Sequence, residues 1–410
     1  MTLRSFQCQL APHGRAVDDA GIATAVQAIA QLRASLVLVL ADARHFQEAA
    51  TANLDAASTP LGALLRRLSQ EAPQAAVIGC STAGEILGDT VLQGTLTVTA
   101  VALEHTRVHA CTLPLDRMED SNAVGRSMSL ALRQACGPDL QQVWVLAPGV
   151  NINGSALVQG MSSGFEGTTA PGISGGLAAD GGAFQRTWTL GPAGISDHHV
   201  VALGFSGAQV ISGSSAQGGW ETFGPARRVT RAQGNRLFEM DREPALDVYR
   251  RYLGEYAKDL PASGLLFPLQ ITQGPDSGLI RTILGIDEAQ GGLVLAGDVA
   301  TDSYVRLMHA STHHLVAAAE QAAQRMRPGL IEGCPSMALL VSCVGRRIVM
   351  GDQTEEEVEA VRDALPPNTL IAGFYSNGEI AAWNYAGDCR LHNQTMTISW
   401  LAEGPGGPPS

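Results

Sequence analysis

The sequence has no long hydrophobic run, no paired cysteine motif and no excess of basic charge. Its longest apolar runs, Leu36–Ala41 and Ala338–Val341, are far shorter than the roughly 20 residues that a membrane-spanning helix needs. The first residues, MTLRSFQCQLAPHG, lack the apolar stretch of a secretory signal. We therefore expect a cytoplasmic protein without membrane insertion.

The charge balance argues against nucleic acid as a partner. The chain carries 27 Lys and Arg against 39 Asp and Glu, a formal net charge of -12 at pH 7. Affinity for DNA or RNA depends on basic residues that neutralise phosphates, and this chain has an acidic excess instead. The 7 cysteines are widely spaced and form no C-x-x-C pair, which argues against a disulfide framework, a zinc site and covalently attached c-type haem.

The length indicates more than one domain. At 410 residues the chain exceeds what one hydrophobic core usually holds, so two domains or several repeated units are expected. A Gly- and Ser-rich stretch after residue 207 predicts the boundary. We assign residues 1–215 to an N-terminal domain, 216–403 to a C-terminal domain and the Gly- and Pro-rich 404–410 to a disordered tail.

One short motif occurs twice, as GCSTAGEI at residues 79–86 and as GFYSNGEI at residues 373–380. Around each copy the hydrophobic pattern predicts a strand, a helix, a second strand that ends in the motif, and a third strand. Weaker copies of this pattern in the middle of the sequence bring the number of predicted modules to three or four. The sequence therefore predicts an α+β protein of repeated β-α-β-β modules, with mixed sheets partly covered by helices and two pseudo-related halves.

Helix starts are visible in both outer modules. Ser58 or Thr59 before Pro60 predicts an N-cap followed by a proline in the first turn. Thr354 and Glu357 have the spacing of a capping box, in which the two side chains bond to each other's backbone N–H groups.

The repeated turn offers a set of ligand-binding side chains, because loops at strand ends bring polar groups and backbone amides together. Hydroxyls and amides can exchange hydrogen bonds with a ligand, and buried carboxylates need a partner such as an amine. The alternative is structural: the short polar side chains hold the turns, and each Glu pairs with an Arg such as Arg346 or Arg347. The candidates are Ser81, Thr82, Glu85, Ser174, Asp180, Arg346, Tyr375, Ser376, Asn377 and Glu379.

Two residues leave a hydrolase open as the alternative function, acting on a small ester or amide. Ser174 lies in Gly-Ile-Ser-Gly-Gly, which matches the G-x-S-x-G elbow of serine hydrolases. The elbow requires a helix directly afterwards, whereas the following residues predict a hairpin that turns at Asp180-Gly181-Gly182. Cys80 is the candidate thiolate nucleophile, although nothing basic stands beside it in the sequence.

Several stretches together resemble the FIST family of sensory domains. The N-terminal half contributes IGCSTAGEI, ISGGLAADGG and VVALGFSG, and the C-terminal half contributes GNRLFEMDREPALDVYRRYLG, LVSCVGRRIVMG, AGFYSNGEIA and LHNQTMTI. They follow the family's order, a FIST N-region and then a FIST C-region. One position departs from the family's pattern, since Asn377 stands where an aromatic or bulky residue is expected.

The resemblance implies a sensory protein that binds a small molecule, for which amino acids have been suggested. It also implies that the bound state is relayed to a separate signalling protein, such as a histidine kinase or a cyclic-nucleotide enzyme. A bacterial subgroup carries haem and responds to nitric oxide, so haem is a candidate cofactor. His309, at the end of a predicted strand with apolar neighbours, is then the preferred axial ligand over His198, His199, His313 and His314. We expect Asn393 to fix a turn beside His392.

Overall fold

The computed structural model describes residues 3–10, 19–52, 59–167, 169–273, 277–330, 333–382 and 389–404. Within these ranges the chain forms three modules with a similar order of elements, and a fourth sheet is inserted into the third module. Parallel and antiparallel strand pairs occur in the same sheets, and helices cover them. The predicted α+β class is confirmed.

Module one shows why these residues form a helix-covered sheet. Helix α1 buries Ile22, Val26 and Ile29, which recur at helical spacing. Helix α3 begins as predicted, since Oγ1 of Thr59 accepts a hydrogen bond of 3.2 Å from the N–H of Gly62 and proline follows in the first turn. The elements are β1 (Arg4–Gln9), α1 (Asp19–Leu32), β2 (Leu36–Asp42), α2 (Ala43–Thr51), α3 (Pro60–Glu71), β3 (Ala76–Thr82), β4 (Glu85–Leu87), β5 (Thr90–Leu92) and β6 (Leu96–Ala102).

Module two repeats this order without a counterpart of the short helix α2. The hairpin predicted at Asp180-Gly181-Gly182 is wrong in place, because the chain turns there and then runs on to a hairpin formed by β10 and β11. The elements are β7 (Arg107–Pro114), α4 (Ser121–Cys136), β8 (Leu140–Ala147), α5 (Gly154–Gly164), β9 (Gly172–Leu177), β10 (Thr189–Gly191), β11 (Gly194–Ser196) and β12 (His199–Ser206).

Module three begins before the inserted sheet and continues after it. The predicted capping box at Thr354 and Glu357 is wrong: the Thr354 side chain makes no cap bond, and the Glu357 carboxylate turns into the core. The elements are β13 (Val210–Gln217), α7 (Thr312–Met326), β22 (Ser336–Cys343), α8 (Val344–Met350), α9 (Glu355–Ala364), β23 (Thr369–Ser376), β24 (Gly378–Ala382), β25 (Cys389–His392) and β26 (Met396–Glu403).

The inserted sheet is antiparallel and has its own core with helix α6. Its path runs β18-β17-β21-β14-β15-β20-β19, and β16 pairs with β15. The elements are β14 (Glu221–Gln233), β15 (Arg236–Met240), β16 (Glu243–Pro244), α6 (Ala245–Leu253), β17 (Leu269–Gln273), β18 (Ile280–Arg281), β19 (Ile283–Asp287), β20 (Gly292–Leu295) and β21 (Tyr304–His309).

The three modules exchange hairpins in a closed cycle. The sheet orders are β1-β6-β2-β3-β10-β11, β7-β12-β8-β9-β24-β25 and β13-β26-β22-β23-β4-β5. Each module therefore supplies four strands to its own sheet and one hairpin to another module's sheet. This arrangement has pseudo-threefold symmetry, and the two copies of the sequence motif lie in modules one and three.

Three glycines at corresponding positions confirm this symmetry. Gly79 pairs with Val39, Gly175 with Val145, and Gly373 with Leu340, each across a parallel strand pair. A Cβ atom at these glycines would lie 2.0, 1.9 and 2.1 Å from the paired residue's carbonyl oxygen, a distance that no side chain tolerates. The glycine of the motif is therefore required by close strand contact in all three modules.

The three sheets share one central core. Alternate residues of the middle strands β2, β8 and β22 point to the centre, among them Leu38, Trp144 and Leu339. The opposite faces are covered by each module's own helices. The middle strands are thus buried on both faces, which explains their nearly continuous hydrophobic sequences.

The chain passes from the predicted N-terminal domain to the predicted C-terminal domain within one strand. The boundary expected at residues 215/216 falls inside β13, which pairs with β26 along its whole length. Gly404, assigned to the tail, is buried and donates a hydrogen bond of 2.8 Å to Gln209 O, whereas 405–410 lie outside the described residues.

Of the helices in the described ranges, none is both long and apolar enough to cross a membrane.

Candidate functional site

The turns predicted to face one another do meet, together with the corresponding turn of module two. Each turn donates one backbone N–H to the next, so that three hydrogen bonds form a ring. The bonds run from Ala83 N to Tyr375 O (2.8 Å), from Asn377 N to Leu177 O (3.2 Å) and from Ala179 N to Ser81 O (2.8 Å). The strand ends are therefore joined directly at the centre of the molecule.

Glu85 is completely buried and bonded within its own module. Its carboxylate accepts hydrogen bonds from Thr82 Oγ1, from the Thr95 N–H at 3.2 Å and from Thr95 Oγ1 at 2.5 Å. Burial raises the pKa of Glu85 to about 7, and the bonds from the two threonines only partly offset this effect. The carboxylate fixes the start of the exchanged hairpin to the start of β6.

Glu379 repeats this arrangement in module three. Its carboxylate accepts hydrogen bonds from Ser376 Oγ at 2.7 Å, the Thr395 N–H at 3.2 Å and Thr395 Oγ1 at 2.9 Å. Burial raises the pKa of Glu379 to about 8, against the effect of these hydrogen bonds. Both motif glutamates thus have partners inside the fold, and neither partner is an arginine.

Arg346 pairs with a different carboxylate, which sequence reasoning missed. The guanidinium and the Glu357 carboxylate are both fully buried, with Nη2 and Oε2 at 2.7 Å. Tyr375 OH and Ser342 Oγ each donate a hydrogen bond of 2.8 Å to Glu357 Oε1. Arg346 also donates to the carbonyl of Gly218, just before the inserted sheet, and to that of Leu315, just after it. This network fixes both connections of the insertion.

Two further predicted residues support turns. Ser81 Oγ is buried and accepts a hydrogen bond of 2.9 Å from the N–H of Trp188. The Asp180 carboxylate accepts three hydrogen bonds from backbone N–H groups, those of Phe184 (2.8 Å), Gln185 (2.7 Å) and Arg186 (2.9 Å). These contacts match the structural alternative for short polar side chains.

The two candidate nucleophiles are inaccessible. Ser174 lies inside strand β9, is fully buried, and its Oγ accepts a hydrogen bond of 2.8 Å from Gln142 Nε2. Cys80 is also fully buried, and burial raises the pKa of its thiol well above the ordinary value. A serine hydrolase elbow exposes its nucleophile on a turn before a helix, and Ser174 has neither feature.

The surroundings of His309 do not fit haem. The side chain is exposed at the end of β21, opposite Glu221 in the strand pair, and its ring centroid lies 5.6 Å from that of Phe223. A haem ligand requires an apolar pocket that covers the ring on several sides. Val305, Leu307 and Met308 of β21 are buried, whereas His309 is exposed at the end of the strand.

Three carboxamide side chains form what we call the amide cluster: Asn377, Asn393 and Gln394. They are 6%, 1% and 0% exposed. Asn377 Oδ1, Gln394 Oε1 and both amide atoms of Asn393 have no hydrogen-bond partner. Of the ten predicted ligand-binding residues, Asn377 is the one whose side chain has a buried polar atom without a hydrogen-bond partner. Asn393 does not hold a turn through its side chain, contrary to the prediction.

The partnered groups of the amide cluster point to different elements, and Gln394 donates through Nε2 to Leu265 O at 3.1 Å. Asn377 Nδ2 donates to Gly149 O at 3.4 Å, which places this side chain against the loop that follows β8. At the start of α5, a Cβ at Gly154 would lie 3.0 Å from Leu391 in β25. Asn377, which directly precedes the exchanged hairpin β24–β25, therefore adjoins the loop before α5.

The inserted sheet meets the same loop. Asn153 caps α5 and donates through Nδ2 to Asp298 Oδ1 at 3.1 Å. The buried Arg281 donates to the carbonyl of Asp298 at 2.8 Å and to that of Leu391 at 3.3 Å. Sequence analysis did not single out these residues, since nothing local in the sequence shows that residues 153, 281 and 298 come together.

Family models match most of the chain. The FIST N domain model matches residues 54–243, and the FIST C domain model matches residues 245–382. Together the two matches cover about four fifths of the chain. No curated protein matches the sequence.

Solved structures with a similar order of elements are distant. A chorismatase aligns with 11% sequence identity and a TM-score of 0.35, covering 98% of this chain and 100% of its own. A cyanuric acid hydrolase from A. caulinodans aligns with 11% identity and a TM-score of 0.37, again covering 98% of this chain and 100% of its own. At these TM-scores the likeness supports no inference about the chemistry of this chain.

Proposed function

Because this chain belongs to the FIST family, whose members are small-ligand sensory domains of signalling proteins, we propose that it binds a small polar molecule at the amide cluster. The observation that carries the proposal is the Asn393 side chain, which is 1% exposed and has no partner for either amide atom. Buried polar atoms without partners are rare and destabilising unless another molecule satisfies them. A ligand is the kind of partner that the family's role provides.

The bound state is relayed through the inserted sheet to a separate signalling protein, such as a histidine kinase or a cyclic-nucleotide enzyme in the cytoplasm. The contacts of Asn153 with Asp298 and of Arg281 with Leu391 support this route, because they join the inserted sheet to the elements beside the amide cluster. A ligand that moves the loop before α5 changes these contacts directly. Binding energy at the cluster then shifts the position of the sheet.

The test combines two measurements on the purified full chain. Native mass spectrometry with an absorption scan reports any copurified molecule, haem included, and a thermal-shift screen of common polar metabolites identifies ligands that bind the folded state. Hydrogen exchange with and without the identified ligand then localises its effect, and we expect protection in residues 149–155 and 389–394. The proposal is refuted if no molecule copurifies and no metabolite raises the melting temperature.

A further inference from the structure

A cavity of about 320 Å³ lies at the end of module two where α4 and α5 finish and where β8 and β9 begin. The three turns lie at the opposite end of β8, whose 8 residues rise about 3.3 Å each, so roughly 20 Å separate the cavity from the turns. The cavity is therefore distinct from the region around Asn377. The lining residues that decide its chemistry are Arg133, Pro138, Leu140, Phe165, Thr169 and Pro171.

Buried apolar side chains form the floor of this cavity. Leu140 is 6% exposed and Phe165 is 2% exposed, and Pro171 is buried as well. Pro138 and Thr169 are exposed and lie at the rim. Because a cavity of about 150 Å³ holds a benzene ring, this cavity has room for one ring with a short side arm. Proline and phenylalanine rings pack well against an aromatic face, so the floor favours a flat apolar ligand.

Arg133 is the charged residue of the lining. It lies in the last turn of α4, and its Nη1 donates a hydrogen bond of 2.9 Å to the carbonyl of Gly164, the last residue of α5. Within the described ranges the Arg133 side chain forms no other hydrogen bond and no ion pair. The carboxylate of Asp139 pairs instead with Arg107, at 3.5 Å. Since a guanidinium has several N–H groups, most of those on Arg133 are available to a ligand.

A purely structural role of Arg133 accounts for only part of this arrangement. The carbonyl groups at the C-terminal ends of α4 and α5 carry partial negative charge, which the guanidinium offsets. That role explains the hydrogen bond to Gly164, but it does not explain the apolar cavity beside the guanidinium. A carboxylate at the rim pairs with Arg133 and keeps part of its hydration, while the apolar body of the same ligand covers the floor.

We propose that this cavity binds a small aromatic carboxylate. The ring of the ligand packs against Leu140, Phe165 and Pro171, and its carboxylate accepts hydrogen bonds from the Arg133 guanidinium. A cationic ligand is repelled by Arg133, and a neutral ligand gains less from it than a carboxylate does. This inference goes beyond the proposed function and does not depend on it, so either one can fail alone.

The experiment measures the binding of 3-phenylpropionate to the full chain by ligand-observed NMR. Two matched probes are 3-phenylpropanamide, which has the same shape without the charge, and propionate, which lacks the ring. A molecule of this size binds weakly, and we expect a dissociation constant of about 1 mM for 3-phenylpropionate. The amide should bind about fivefold more weakly, because a partly exposed ion pair contributes little more than that, and propionate should not bind detectably.

Two arginines of α4 provide the variant and its control. Arg133→Gln should remove the preference for the carboxylate, so that 3-phenylpropionate and its amide bind equally. Arg126→Gln makes the same change of charge at an exposed position of the same helix and should keep the wild-type preference. Circular dichroism and the melting temperature establish that each variant is folded.

A second variant at the rim covers the case in which Arg133→Gln does not fold. Thr169→Glu places a negative charge at an exposed position and should weaken the binding of 3-phenylpropionate about threefold while the amide is unaffected, whereas Thr169→Gln should change neither. The inference is overturned if 3-phenylpropionate does not bind, or if the wild type binds the amide equally well. Binding with an unchanged preference in both Arg133→Gln and Thr169→Glu would overturn this cavity as the site.

Discussion

Replacement of Glu379 by Gln should remove most of the protein's loss of stability between pH 6.5 and pH 8. The folded-state pKa of Glu379 is raised from 4.5 to about 8, so the folded protein holds a proton that the unfolded chain has released. The native state therefore binds more protons than the unfolded state above pH 4.5, and stability falls as pH rises until it passes about 8. Each pH unit in this window costs about 1.4 kcal/mol for one such group.

Between pH 6.5 and pH 8 the loss of stability comes mostly from Glu379, with a smaller share from Glu85. His392 has its pKa lowered from 6.5 to about 4, and burial also lowers the pKa values of His45 and His199, so these groups destabilise the fold mainly as pH falls below 6.5. Glu85, with its pKa raised to about 7, contributes mainly below pH 7. Glu379 alone should therefore account for about 2 kcal/mol of lost unfolding free energy across this interval.

Urea unfolding followed by tryptophan fluorescence measures the effect at half-unit steps of pH. In Glu379→Gln, the new NH₂ group faces Ser376 Oγ and the remaining oxygen faces Thr395, as in the protonated acid. One N–H is left without an acceptor, so we expect a loss of about 1 to 3 kcal/mol at pH 6.5 but only a small slope above it. Glu359→Gln, at an exposed position of α9, should keep the wild-type slope. An equal slope in Glu379→Gln and the wild type would refute the reasoning.

Three further substitutions test the packing around the same elements by urea unfolding. Thr395→Val should cost about 1 to 2 kcal/mol, because it removes the hydroxyl bond to Glu379 and keeps the backbone one. Arg346→Met should cost about 3 to 5 kcal/mol by leaving Glu357 charged and buried, and adding Glu357→Gln should recover part of this loss; no recovery would contradict the ion-pair account. Gly373→Ala should cost about 3 kcal/mol or more because its Cβ would lie 2.1 Å from Leu340 O, whereas Gly285→Ala, with its nearest neighbour at 3.6 Å, should be tolerated.

The sequence predicted the repeated elements because hydrophobic pattern and turn chemistry are local signals. The strand that ends in GCSTAGEI and the strand that ends in GFYSNGEI are both present, and Thr59 caps α3 as expected. The hairpin exchange could not be predicted, because an antiparallel hairpin carries the same local pattern whichever sheet it joins. Only the completed strand pairing shows that the hairpin after the first motif extends the sheet of module three.

The candidate site residues show the same difference between local signals, which the sequence carries, and tertiary contacts, which it does not. Glu85 and Glu379 were predicted to need a partner for their carboxylates. Glu85 accepts hydrogen bonds from Thr95, ten residues later, and Glu379 accepts them from Thr395, sixteen residues later. The sequence did not predict the pairing of Glu357 with Arg346, because the spacing of Glu357 to Thr354 matches a helix cap. Its position is set instead by tertiary contacts with Arg346. Asn393 was recognised only as a turn residue, since sequence cannot show that a buried amide lacks a partner.

The comparison of the three corners explains where a binding site can arise. In module two, Thr189 takes the position of the motif glutamate and ties its hairpin to β12 through a hydrogen bond of 2.8 Å to His199 O, so that all three hairpins are anchored by a polar side chain. The residues that donate to the ring are Ala83, Ala179 and Asn377, and only the last has a polar side chain. The three turns are therefore held in the same way, whereas among the residues that donate to the ring only Asn377 has a side-chain atom without a hydrogen-bond partner. Because repetition preserves what holds the fold together, a position that differs among the copies is free to serve a ligand, and the departure of Asn377 from the expected bulky residue is the sequence feature that marks it.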